Sequence, residues 1–197
     1  MNLLPVPSLP KFDAHGRNIL YLTFDDGPVP EVTPGVLHLL EKYQAQGTFF
    51  CLGRNIIKNY ELFKQIAARG HLACNHSYSH NKGWETATET YVNDVFRASV
   101  FFDNKFFRPP YGKISLKQYL VLKKTHRIVF WHVLSRDYDP SLTWQDCFRR
   151  VVGKSKAGSI LVFHDSQKAR DRMLPCLEAI LKYYGARNYV FRTLASS

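Results

Sequence analysis

The chain has no long hydrophobic run. Its most apolar stretches, Ile128–Trp131 and Ile160–Phe163, are four residues each, far below the roughly 20 needed to cross a bilayer as a helix. No membrane span is expected. No Cys-x-x-Cys pair occurs, and the four cysteines (Cys51, Cys74, Cys147, Cys176) are widely separated, so neither a zinc knuckle nor a dithiol redox motif is indicated. Cys51 and Cys74 fall in apolar strand-like runs, where a reduced cysteine acts as a small hydrophobe; free thiols are expected. Internal repeats, low-complexity tracts and linkers are absent. The amino end, Met1–Pro7, lacks the basic start, apolar core and small-residue cleavage site of a secretory leader. The expected location is therefore cytoplasmic by default, or exported or at the cell envelope if a leader has been removed.

The composition is that of a folded protein: 197 residues, 45% hydrophobic and 14% aromatic, enough for one domain with a substantial core. Residues 1–18, with Pro5, Pro7 and Pro10, read as a lead segment and 19–197 as the domain. Lys and Arg number 27 against 16 Asp and Glu, a net charge of +11, which favours polyanions at long range. The basic residues are scattered rather than clustered, so nucleic acid is not the expected partner.

The stretch around which the chain is organised is Tyr21–Pro28, an apolar strand ending in Asp25-Asp26-Gly27-Pro28. Two adjacent carboxylates cannot both be buried without a cation or hydrogen-bond donors. Neighbours on a strand face opposite sides, so a break at Gly27 is expected to turn both into one cleft. Along the rest of the chain, strands are expected at Ile19–Phe24, Thr48–Leu52, His71–Cys74, Phe106–Phe107, Arg127–Leu134, Ser159–Phe163 and Tyr189–Thr193. Helices are expected between them, at Pro34–Tyr43 (capped by Thr33), Tyr60–Arg69, Glu89–Phe102, Leu116–Lys124, Thr143–Val152 and Met173–Tyr184. This alternation predicts an α/β fold with parallel strands, either a barrel or an open doubly wound sheet. Asp25, Asp26, His76, His80, Arg108–Tyr111, Asp137 and His164 all fall at the carboxyl ends of strands, the edge where such folds build active sites.

His76 and His80 are four apart, a spacing that on one helical turn puts both imidazoles on one face. With a strand-end aspartate they make a three-ligand set that leaves positions for water and substrate, as catalytic metal sites do. Nitrogen and oxygen donors suit zinc, and cobalt, nickel or manganese would also be accepted. The second aspartate is then free to act as a base on water that the metal makes more acidic. Arg108 nearby would keep that base ionised and oriented. Pro109-Pro110 fix the backbone, so the Tyr111 amide is the first available to an oxyanion. His164, ending an apolar strand, is a candidate general acid.

Thr23-Phe24-Asp25-Asp26-Gly27, His76-Ser77-Tyr78-Ser79-His80, Arg108-Pro109-Pro110-Tyr111-Gly112, Asp137-Tyr138 and Val162-Phe163-His164-Asp165, in this order, resemble the five motifs of the polysaccharide deacetylases, carbohydrate esterase family four. The resemblance runs from Ile19 to about Thr193. It implies a distorted seven-stranded β/α barrel and metal-dependent removal of acetyl groups from N-acetylglucosamine polymers of the chitin or peptidoglycan type. It assigns Asp25 as general base, Asp26, His76 and His80 as metal ligands, and Arg108 as the partner of the base. The Tyr111 amide would bind the oxyanion, His164 would be the general acid, and Asp137 would tune it. The family usually has tryptophan where this chain has Tyr138 and leucine where it has Val162. Both positions line the pocket for the acetyl methyl group, so the departures bear on substrate fit. Trp131, His132 and Asp139 lie near the fourth motif without an assigned role. Rival readings are an O-acetyl esterase acting on acetylated xylan, a carbohydrate-binding domain without turnover, and a binder of anionic polymers.

Overall fold

The computed structural model describes residues 8–195. Met1–Pro7, including Pro5 and Pro7 of the lead, lie outside the described residues. The alternation of apolar strand runs and amphipathic helical runs resolves into eight strands: β1 (Asn18–Asp25), β2 (Gly47–Cys51), β3 (Leu72–Asn75), β4 (Phe106–Phe107), β5 (Arg127–Ile128), β6 (Val133–Leu134), β7 (Ile160–His164) and β8 (Tyr189–Phe191). The helices are α1 (Thr33–Lys42), α2 (Gly53–Lys58), α3 (Tyr60–Ala68), α4 (Thr88–Ser99), α5 (Leu116–Leu122), α6 (Trp144–Val152) and α7 (Arg170–Gly185). Strand order is β5-β4-β3-β2-β1-β7-β6, with β8 pairing β1, and every pairing between these strands is parallel. Parallel strands with crossover helices curl here into the expected distorted β/α barrel.

β1 is the spine. Its upper half pairs with β2 and β7, and its lower half with β8. All but its first residue are buried, which is why it reads as a continuous apolar run rather than an alternating one. The face of the sheet under α1, α6 and α7 carries the main core, with Phe24 stacked on Phe49 (centroids 4.8 Å apart) and near Phe163. A smaller cluster about Ile19, Tyr21, Phe50, Cys74 and Leu194 takes in Leu9, and the Tyr21 hydroxyl donates to Pro10 O at 2.9 Å. Leu9 and Pro10, ahead of β1, therefore pack on the barrel. The four cysteines are free and buried. No helix among the described residues is long and apolar enough to cross a membrane.

Three local expectations are corrected. The strand expected over Arg127–Leu134 is two strands, because the chain between them changes neighbours: Val129 N bonds Phe107 O on the β4 side, and His132 N bonds Ile160 O on the β7 side. Thr33 does not cap α1. Its hydroxyl accepts from Val29 N and donates to Asp165 Oδ2 at 2.7 Å, so a buried carboxylate claims the group that would have capped. His76 and His80 are not on a helix but in the loop after β3. Left-handed backbone at Ser77 (φ 71°) and His80 (φ 62°), rather than helical periodicity, brings the two rings together. By contrast Thr143 caps α6 as expected, in a reciprocal capping box with Asp146.

Candidate active site

At the carboxyl ends of the strands a cleft of about 180 Å³ is lined by Asp25, Asp26, His76, His80, Tyr111 and His164, with Trp131, Leu134, Tyr138, Val162 and Lys168 completing its walls. The turn after β1 delivers both aspartates to it. Asp26 adopts φ 86°, and a cis peptide joins Gly27 to Pro28. The reversal of facing comes at Asp26 itself, one residue before the expected break. Behind the turn lies Asp165, fully buried, which accepts from Gly27 N at 3.0 Å and from Thr33 Oγ1 at 2.7 Å. Its own amide donates to Asp25 O.

The two aspartates have different surroundings. Asp25, 4% exposed, accepts from Arg108 Nη1 at 2.7 Å through Oδ1. Arg108 is fully buried, donates also to Thr23 Oγ1 (2.7 Å) and to Val129 O through Nε (3.4 Å), and lies 4.0 Å over the Phe50 ring. Burial pulls the Arg108 pKa down, but Asp25 opposes that pull by charge and hydrogen bond. Asp26 Oδ1 lies 3.1 Å from His80 Nε2 and 3.8 Å from His76 Nε2, yet this buried atom makes no hydrogen bond. Burial pushes the Asp26 carboxyl up, but His80, His164 and His76 outweigh it and hold the group well below the usual carboxylate range.

The ligand atoms of Asp26, His76 and His80 all lie within 4.8 Å of one another. His76 Nδ1 donates to Arg108 O at 2.8 Å, because a carbonyl can only accept; that fixes the tautomer and leaves the Nε2 lone pair facing Asp26. Burial lowers the His76 pKa to about 4, so the ring is neutral, as a metal ligand must be. The loop carrying both histidines is pinned from below: Asn75 Oδ1 accepts from Ser77 N, and Asp94 Oδ2 accepts from Tyr78 N and Ser79 N. An orphaned carboxylate oxygen facing imidazole nitrogens fits a divalent cation.

Across the cleft, His164 Nδ1 donates to Asp137 Oδ1 at 2.7 Å, and His164 N to Asp137 Oδ2 at 2.8 Å. Burial lowers the His164 pKa, but the charge and hydrogen bond of Asp137, aided by Asp26 and Asp25, raise it to about 9. Asp137 is fully buried and is held through its carbonyl by Arg172 Nε at 2.8 Å. Tyr111 sits at φ 59° in a short 3-10 turn, its ring 4.5 Å from that of His80. Its N–H donates to no group among the described residues. Tyr138 stands edge-on to His164 at 4.9 Å, and Val162 is buried in β7 beneath the cleft.

All ten residues singled out from the sequence are thus gathered in or directly behind one cleft. Four others share the work. Asp165 and Arg172 hold the aspartate turn and Asp137 in place. Trp131 backs the Tyr111-Gly112 turn, where a Cβ on Gly112 would come 2.5 Å from the indole, and Lys168 stands on the rim with Nζ 5.5 Å from the Tyr138 ring centre. Asp165 had a visible signal, its place beside His164; Arg172 had none, since its contact is to a backbone carbonyl. His132 and Asp139 are structural: His132 Nδ1 accepts from Ile160 N, and Asp139 pairs with Arg136 and caps Ser141.

Comparison with known proteins identifies relatives in sequence and fold. The chain is 32% identical over 190 residues to a peptidoglycan-N-acetylglucosamine deacetylase of Bacillus cereus, covering 92% of this chain and 88% of that protein. It is 30% identical over 157 residues to a chitooligosaccharide deacetylase of Azorhizobium caulinodans, covering 76% and 74%. The crystal structure of the peptidoglycan N-acetylglucosamine deacetylase Bc1960 with a bound naphthyl N-hydroxybenzamide superposes with a TM-score of 0.84 at 31% identity, over 90% of this chain and 86% of that one. Residues 13–127 match the family described as polysaccharide deacetylase, and the chain belongs to that family.

Proposed function

We propose that this protein is a metal-dependent polysaccharide N-deacetylase that releases acetate from N-acetylglucosamine residues of a peptidoglycan- or chitin-type glycan. The observation that carries the reading is the meeting of three groups in one cleft: the Asp26-His76-His80 set, the Arg108-held Asp25, and the Asp137-held His164. Asp26, His76 and His80 would hold the cation, with zinc the ion best suited to the donor set. When bound, a divalent ion there supplies Lewis acidity toward the acetyl carbonyl and toward water.

The chain's own residues supply the rest. Asp25 presents Oδ2 while Arg108 holds Oδ1, so the base is oriented and kept ionised to take a proton from the attacking water. The Tyr111 N–H donates to the oxygen that gains charge as the carbonyl becomes tetrahedral. His164, its Nδ1 engaged by Asp137 and its pKa raised to about 9, is an imidazolium at neutral pH. Its Nε2 proton goes to the departing sugar amine. Tyr138 and Val162 bound the space left for the acetyl methyl group.

The test is acetate release from chitooligosaccharides, peptidoglycan fragments and acetylated xylan by metal-loaded protein. Release from the first two supports the reading, release from xylan alone favours the O-acetyl esterase, and binding without release favours a non-catalytic domain. Asp25→Asn and His164→Ala are each expected to abolish release while leaving the fold intact.

A further inference from the structure

Trp84 is 60% exposed, an uncommon placement for the largest side chain, and it is not loosely held. Its indole N–H donates to Ile114 O at 3.0 Å. The 3-10 turn that carries it, Gly83–Glu85, is gripped by the buried amide of Gln118, whose Nε2 donates to Gly83 O (2.8 Å) and to Thr86 O (3.0 Å). A Cβ on Gly83 would lie 2.5 Å from Lys113 O, so glycine is needed for the turn to sit this close. The fold thus fixes a ring that it leaves open to water. Charged groups surround it. Lys113 Nζ lies 5.3 Å from the ring centre, and Lys82 pairs with Glu85 at 3.1 Å on the same turn.

The turn adjoins a segment that lines the cleft: the Trp84 indole bonds Ile114 O, two positions after Gly112, which lines the cleft beside Tyr111. His80, a cleft residue, is four positions before Trp84, which places their Cα atoms within about 15 Å of each other. Tyr111, on the same wall and 52% exposed, is two positions before Lys113. An open aromatic face bordered by hydrogen-bonding groups suits a pyranose ring, which offers C–H faces to the indole and hydroxyls to its edges.

We propose that Trp84 is a stacking platform for a sugar ring of the same glycan chain, some units away from the residue whose acetamide enters the cleft. The inference rests on the cleft being a glycan deacetylase site. The site would accordingly select for polymer length. The experiment measures affinity for an N-acetylglucosamine disaccharide and for a longer oligosaccharide of the same repeat, in metal-loaded protein carrying D25N to block turnover, with and without W84A or W84F. The expected result is that the longer sugar binds more tightly than the disaccharide. W84A should reduce the longer sugar's affinity by about two- to tenfold, the range for a lost ring contact, and W84F should restore most of it, with disaccharide affinity unchanged. Equal affinity for the longer sugar with and without W84A overturns the proposal, as does an equal loss for both sugars or no preference for length. If the unsubstituted protein releases no acetate from any glycan, the deacetylase reading fails, and the length-dependent affinity still decides the role of Trp84.

Discussion

The Asp165 carboxylate occupies the space that a side chain on Gly27 would need: Oδ1 accepts from Gly27 N at 3.0 Å, and a Cβ on Gly27 would fall 2.0 Å from Oδ2. Gly27→Ala is therefore expected to displace either Asp165 or the turn carrying Asp25 and Asp26. The cost is about 1–3 kcal/mol, as for overpacking in a tight interior, with a larger proportional loss of acetate release than of stability. Urea melts and initial rates on one substrate check both. Wild-type rates in Gly27→Ala would show that the turn does not position the base.

The Asp137–His164 pair is expected to set an alkaline limit on activity. Since the folded pKa of His164 is raised from 6.5 to about 9, its acid form is present below that pH and lost above it, so kcat/KM should fall through about pH 9. The same shift contributes stability that is complete below about pH 6.5 and disappears as pH rises through about 9. Asp137→Asn removes the charge while keeping the shape. The alkaline limb should then move toward lower pH, with kcat reduced. An unmoved limb in the pH–rate profile of Asp137→Asn would assign that limb to another group.

Cation removal should be visible without a substrate. Asp26, His76 and His80 gather in the folded chain alone, so an ion held at one hundred times its dissociation constant stabilises by about 2.7 kcal/mol. Chelator should lower the melting temperature, and readdition of zinc should restore it. Asp26→Ala and His80→Ala should contain little metal by elemental analysis, and chelator should leave their melting points unmoved. A chelator-sensitive melting point in both variants would place the cation elsewhere.

Much of this was legible because catalysis is concentrated at the carboxyl ends of parallel strands, and each strand end is marked by an apolar run breaking into a polar residue. Asp25-Asp26, Arg108 and His164 stand out for that reason. What the residues did not show was how the loops turn. The His76–His80 spacing suggested a helix, whereas left-handed residues at Ser77 and His80 do the work, and a non-glycine residue at positive φ leaves little trace in a sequence. Thr33 looked like a cap because capping is local, but its hydroxyl is claimed by Asp165, 132 residues away. Long-range pairings of this kind carry no periodicity.

Arg108 offers the sharpest separation of structure from chemistry. It is fully buried and its Nη1 serves both Thr23 Oγ1 and Asp25 Oδ1, so Arg108→Met strands the Asp25 carboxylate, only 4% exposed, without its cation. Breaking one side of such a pair costs about 3–5 kcal/mol, whereas replacing both sides can be near neutral. Arg108→Met combined with Asp25→Asn should accordingly be more stable than Arg108→Met alone, although both should be inactive. Arg108→Lys keeps the charge but loses the flat contact at 4.0 Å with Phe50 and the Nε donor to Val129 O. It should fall between the wild type and Arg108→Met in stability. Denaturant unfolding of the wild type, Arg108→Met, Asp25→Asn and the double variant gives the coupling energy directly. If Arg108→Met and the double variant unfold at the same denaturant concentration, the guanidinium is holding the barrel wall of Phe50 and Val129 rather than the charge on Asp25, and its place in the mechanism would have to be withdrawn.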